Sequence, residues 1–207
     1  MTTTATPTAP PGSRLELLQL ATFHSLSVEG YHQMIALGIY PDGEPLELIE
    51  GLVIQKMSRG TAHDEAMDFL DRALAELVPA GWFVRSQRAV TLPDSEPEPD
   101  YAIVRGERVR NRGRHPLATE VGVVVEVSNT SLSLDRNHKS RVYARAGIPV
   151  YWIVNVIDKQ IEVLTDPSGP TDAPAYGTTT IYTAGQQVPL ALDGNTVGHI
   201  PVGDVFG

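Results

Sequence analysis

No cysteine occurs anywhere in the 207 residues. Disulfide frameworks, zinc–thiolate centres and cysteine nucleophiles are therefore excluded. Long hydrophobic runs are missing too: none approaches the roughly 18 apolar residues that a membrane-spanning helix needs. The opening MTTTATPTAPPGSR lacks the basic start and apolar core of a secretory leader. Its Thr, Pro and Ala bias reads as a disordered tail over residues 1–25. A soluble cytoplasmic protein with no membrane partner is the expectation. Positive charge is also in short supply, with 16 Lys and Arg against 25 Asp and Glu, a net charge of −9. That balance argues against a general nucleic-acid binder, whose footprint is a basic surface. It leaves room for an enzyme that meets phosphates through a bound cation.

What is present suits one globular domain over residues 26–207. The chain is 42% hydrophobic and 20% charged, enough for a sizeable core. SVEGYHQMIALG carries Val28, Tyr31, Met34, Ile35 and Leu37 at helical spacing, with Ser27 placed to cap it. LELIEGLVIQKM alternates as two strands or one bent strand, with Gly51 at the bend. From Thr61 to Val78, Ala66, Met67, Leu70, Ala73, Leu74, Leu77 and Val78 form one apolar stripe, which predicts an amphipathic helix. WFVRSQRAVTL reads as a strand, and VGVVVEV as a central strand buried on both faces. A helix is predicted from Asp135 to Ala146, then a hairpin of VYWIVNV and QIEVLTD turning at Asp158 and Lys159. Helices interleaved with strands predict an α/β fold built on a mixed sheet.

Two carboxylates stand out. Asp100 opens the short apolar strand of PEPDYAIV, and Glu126 interrupts the β-branched run VGVVVEVS. An unpaired charge inside an apolar strand costs several kcal/mol or is neutralised by a shifted pKa, so Glu126 requires a partner. A divalent metal shared with Asp100 is one candidate, because Mg²⁺ is held by one or two carboxylates together with waters and phosphates. A glutamate salt-bridged to an arginine is the plain alternative, as a turn aspartate after Pro99 is for Asp100. No G-x-S-x-G elbow or HExxH zinc motif is present.

PD, a gap, and then an acid two places before Ser128 resembles the PD-(D/E)XK nuclease superfamily, with serine standing where the strand lysine is expected. Alternation puts Ser128 on the same face as Glu126, so an ammonium is missing from that spot. ELIEG, a histidine opening a helix, PD, and VVEVSNTSLSLDRNHKSRVYARAGIPVYWIVN together look like the Uma-two family of restriction endonucleases, over about Leu26 to Leu164. The resemblance implies a restriction-endonuclease-like mixed central β-sheet flanked by helices. It also implies Mg²⁺ (or Mn²⁺) held by Asp100 and Glu126, and DNA as substrate. In that family a lysine on the next helix replaces the strand lysine, which here is Lys139. Many proteins of this fold dimerise to cut both strands, so a homodimer is implied, with no interface legible in the sequence.

Further candidates are softer. Glu47 and Glu50 occupy the acidic slots of ELIEG, and alternation sends them to opposite faces, with Glu47 favoured for the site. His63 matches the family histidine at the start of the long helix, where it is equally well an ordinary capping-region residue. Gln87 sits before PD and could share the cleft. Asp135 and Lys139, four apart, suit either a surface ion pair or a lysine held in place by its neighbour. Arg105, Arg108, Arg110, Arg112 and Arg114 form either a solvated loop or a phosphate-contacting one. The two functional readings are a metal-dependent endonuclease and a nuclease-fold binding or scaffold protein that does not cleave. The endonuclease is the preferred reading, while the acidic charge and the missing strand lysine count toward the second.

Overall fold

β-branched and aromatic segments assemble into one six-stranded sheet in a computed structural model that describes residues 22, 24–41, 43–107 and 113–207. The tail assigned to residues 1–25 lies almost wholly outside these. The chain enters through helix α1 (Val28–Ala36), capped as expected by the Ser27 hydroxyl accepting from the Gly30 N–H at 3.0 Å. Only Tyr31 of its predicted apolar face is buried. Ile35 and Leu37 are exposed, with no element among the described residues packed over that side.

LELIEGLVIQ forms a hairpin of β1 (Leu46–Ile49) and β2 (Leu52–Gln55), not a bent strand. Glu50 and Gly51 make the turn, both at positive φ (50° and 77°), which a two-residue hairpin loop of the primed type requires. Helix α2 (Thr61–Leu77) follows, with Ala66, Met67, Leu70 and Leu74 buried along one side. The central sheet runs β3 (Trp82–Ser86), β4 (Tyr101–Arg105), β5 (Val121–Ser128), β6 (Val150–Asn155), β7 (Gln160–Pro167) and β8 (Tyr176–Thr183) in that spatial order. Only β5 and β6 are parallel, and a crossover helix joins them. The predicted strand from Trp82 to Leu92 stops at Ser86, where Gln87 turns to positive φ. A hairpin of β9 (Gln187–Leu192) and β10 (Asn195–Pro201) and the short α4 (Val202–Val205) close the chain.

Alternation along β5 sorts the two cores. Val123, Val125 and Val127 pack with α2, β9, β10 and α4 on one face. Val124 packs with Val142, Tyr143, Tyr151 and Ile153 on the other. Glu126 and Ser128 fall in step with Val124, so a carboxylate and a hydroxyl lie beneath the crossover helix. That helix, α3, is one continuous rod of three parts: Leu132–Leu134, a π-helical turn over Asp135–Lys139, and Ser140–Arg145. The wider turn buries both of its ends, Asp135 and Lys139. The result is a single mixed α/β domain with helices on both faces of the sheet.

Candidate active site

The site is assembled where β4 begins and β5 ends. Tyr101 pairs with Val125 in antiparallel register, so the residue before one stands opposite the residue after the other. Those are Asp100 and Glu126. Both are buried, and both line one small pocket of about 50 Å³ with Glu47, His63, Asp135 and Lys139. A space of that size admits an ion and little more than a water or two.

Lys139 is the hub. Its ammonium is 3.0 Å from Glu126 Oε1, 3.1 Å from Glu47 Oε1 and 4.0 Å from Asp135 Oδ1. With 4% of its surface exposed, it is not a solvated i, i+4 partner of Asp135. The Tyr143 hydroxyl donates to the same Glu126 oxygen at 2.8 Å. Ser128 donates to Asp135 Oδ2 at 2.7 Å. The strand position that lacks a lysine is thus tied to the helix that supplies one.

The electrostatics follow from burial and crowding. The Glu126 carboxyl is pushed up to about 8: burial raises it most, Lys139 pulls it down, and Asp135, Asp100 and Glu47 push it up. Asp135 is raised chiefly by burial as well. Burial disfavours the charged form of Lys139, yet the surrounding acids outweigh it and hold the ammonium protonated. Among the acids, Asp100 behaves in the opposite way. Burial raises it, but His63, 3.3 Å from Oδ2, and the Val127 N–H, 2.9 Å away, bring it below the ordinary range. His63 is correspondingly raised by Asp100, against its own burial.

The remaining candidates separate. Glu50 turns away from the pocket and binds Arg141 at 2.6 Å and Arg145 at 2.9 Å on the outer side of α3. Gln87 lines a different, larger groove, though its N–H donates to the Asp100 carbonyl at 3.0 Å. Of the arginine run, Arg105 stacks over Trp82 and pairs with Asp193, and Arg114 pairs with Glu120. Arg108, Arg110 and Arg112 lie outside the described residues. Tyr143 and Lys56 were not singled out from the sequence. Tyr143 had a usable signal, since it stands four residues after Lys139 on the same helix. Lys56 had none: it lines the pocket from the end of the β1–β2 hairpin and donates to the Glu98 carbonyl at 2.9 Å.

This geometry agrees with what comparison finds. A family model described as "Uma2: Putative restriction endonuclease" matches residues 28–196. The chain belongs to the Uma2 family. Among solved structures it is similar to a putative nuclease of the DUF820 group from Anabaena variabilis ATCC 29413, with a TM-score of 0.62 over 87% of this chain and 97% of that one. At 16% identity, that likeness speaks for the fold alone. No curated protein matches the Uma2 chain.

Whether the pocket suits a divalent cation is decided by its donors. Among the described residues, no group of three or more His, Asp or Glu side chains is gathered at metal-holding range. The reason is visible: Lys139 already takes one oxygen each of Glu47 and Glu126. Asp100 Oδ1 and Glu126 Oε2 have no hydrogen-bond partner among the described residues, whereas Oδ2 and Oε1 are engaged. Two carboxylates that line one pocket, each with an oxygen outside these hydrogen bonds, are the donor type that Mg²⁺ takes, with water and phosphate completing its shell.

Proposed function

We propose that this Uma2 protein is a metal-dependent endonuclease that hydrolyses phosphodiester bonds in DNA. One observation carries the reading: Asp100, Glu126, Glu47 and Lys139, scattered over three strands and a helix, converge on one buried pocket. Family membership supports a nuclease; the metal and the DNA substrate are the further step.

Asp100 and Glu126 would hold Mg²⁺ or Mn²⁺ through their unengaged oxygens. The ion supplies Lewis acidity and a water of lowered pKa. The protein's own groups do the rest. His63 and the Val127 N–H hold Asp100 ionised and oriented by its other oxygen. Tyr143 fixes Glu126 in the same way. Lys139, kept protonated by the acids around it, sets a fixed positive charge where the attacking water and the scissile phosphate meet. Glu47, 3.1 Å away, is a second carboxylate that holds the lysine. When water adds to phosphorus and the P–O ester bond breaks, negative charge on the phosphoryl oxygens faces that ammonium.

A second reading rests on the same lysine. Because Lys139 already pairs with Glu47 and Glu126, the cluster is also a buried ion-pair network of the kind that a non-cleaving scaffold would keep. Titration calorimetry with Mn²⁺, alongside nicking of supercoiled plasmid, separates the two. The nuclease reading expects saturable Mn²⁺ binding and Mn²⁺-dependent nicking, both abolished in Asp100→Asn. Neither Mn²⁺ binding nor nicking in the unsubstituted protein leaves the scaffold.

A further inference from the structure

Beside the acid-lined pocket lies a much larger groove of about 1060 Å³, bounded by α1, by the end of β3 and by the segment from Gly113 to Leu117. Two of its arginines differ from five others in this protein. Arg105, Arg114, Arg136, Arg141 and Arg145 each hold a carboxylate. Arg85 and Arg88 hold none among the described residues. Arg85 makes one long hydrogen bond, from Nη2 to the Ala89 carbonyl at 3.4 Å, and its Nε is enclosed with no partner among the described residues. The neighbouring Arg88 adds a like charge, which with burial makes the Arg85 cation harder to keep. In a chain of net charge −9, two guanidinium groups that line one groove with no ion-pair partner among the described residues are open to an anionic ligand.

The two acids that line the same groove are engaged by other groups and form no ion pair with either arginine. Glu96 has both oxygens taken, one by His32 at 2.7 Å and the other by the Thr91 hydroxyl at 2.7 Å. Glu98 faces Lys56 at 3.4 Å. The groove also abuts the pocket. Gln87 lines it while donating to the Asp100 carbonyl, and Lys56 lines the pocket while pairing with Glu98 in the groove. A planar guanidinium fork matches the geometry of a phosphate.

We propose that Arg85 and Arg88 bind backbone phosphates of the DNA strand whose scissile bond lies in the acid-lined pocket. The inference rests on the nuclease reading and deepens it: the phosphates are met from the end of the edge strand, with Arg105 and Arg114 engaged elsewhere. Each phosphate that is no longer neutralised flattens the salt dependence of binding by about 0.9 in log Kd against log salt.

The test is fluorescence anisotropy of a labelled DNA duplex in Ca²⁺ over a KCl series, with Mn²⁺-dependent plasmid nicking measured in parallel. Arg88→Gln should flatten the slope by roughly 0.9 and Arg85→Gln with Arg88→Gln by roughly 1.8. Arg88 is exposed, so its single variant decides the matter if the double variant unfolds. A slope unchanged in Arg88→Gln and in the folded double variant, with nicking intact in the parent, overturns this groove and spares the nuclease reading. A parent that neither binds the duplex nor nicks plasmid overturns both.

Discussion

The Lys139 ammonium reaches Glu126 Oε1 at 3.0 Å from a helix that begins only after the strand bearing Glu126 has ended. A lysine on the strand itself would stand at position 128, two residues on and on the same face. Serine there leaves room for Asp135 beneath the helix, and the π-turn swings Lys139 into the space. The helix thus delivers the charge that the strand does not.

Lys139→Met tests how much the cluster depends on that charge. It leaves Glu47 and Glu126 enclosed without their cation, a loss that typically costs about 3–5 kcal/mol. Urea unfolding at neutral pH should show a drop of that order, with Glu126→Gln in the same background recovering part of it. A change of only about 0.5 kcal/mol, as for an exposed charge, would contradict the burial described.

Ser128→Ala removes the hydroxyl 2.7 Å from Asp135 Oδ2 in a site where Asp135 Oδ1 already lacks a hydrogen bond. Leaving a buried acceptor unmet costs about 1–3 kcal/mol. Thermal stability should fall accordingly. A variant as stable as the parent would mean that Asp135 rests on other partners.

Gly51→Ala should loosen the β1–β2 hairpin that carries Glu47. Position 51 has φ of 77°, and an added Cβ would meet the Ser25 Cβ at 2.6 Å, so both strain and overlap oppose it. A loss of about 1–3 kcal/mol is expected. Unchanged stability would require Ser25 to move aside freely, and hydrogen exchange along β1 would show it.

Acid sensitivity should be traceable to Glu50. Burial raises its pKa, but hydrogen bonds from Arg141 and Arg145 outweigh that and lower it. A lowered carboxylate adds stability that is present above the unfolded value, near 4.3, and is lost as pH falls through the folded value. Glu50→Gln should therefore cost up to about 1 kcal/mol at neutral pH and converge with the parent in acid. Parallel pH–stability curves for the two proteins would show that the pair contributes nothing.

Much of this arrangement was legible in the residue pattern. The apolar run of β5 marked a central strand, and one polar interruption in it marked Glu126, because burial of a lone carboxylate is too costly to be incidental. The period-two rule placed Glu126 with Ser128, whereas Glu50 parts from Glu47 because it sits in the hairpin turn at positive φ. The family motif brought in Lys139. Other features had no such signature. The π-turn leaves no trace in a spacing that reads equally well as an α-helical surface pair. The end of β3 at Ser86 is a backbone event at Gln87, whose positive φ its residue type does not demand.

Local periodicity and the cost of burying charge were enough to mark the central strand, the long helix and Glu126 as an acid that needs a partner. Tertiary structure alone decided what those partners are. Lys139 faces three acids from β1, β5 and its own helix, and Arg85 is left without any, because such pairings depend on which strands lie side by side. Side-chain alternation fixes a face within one strand, while the distance between two faces is set only when the sheet and its crossover helix close over the same pocket.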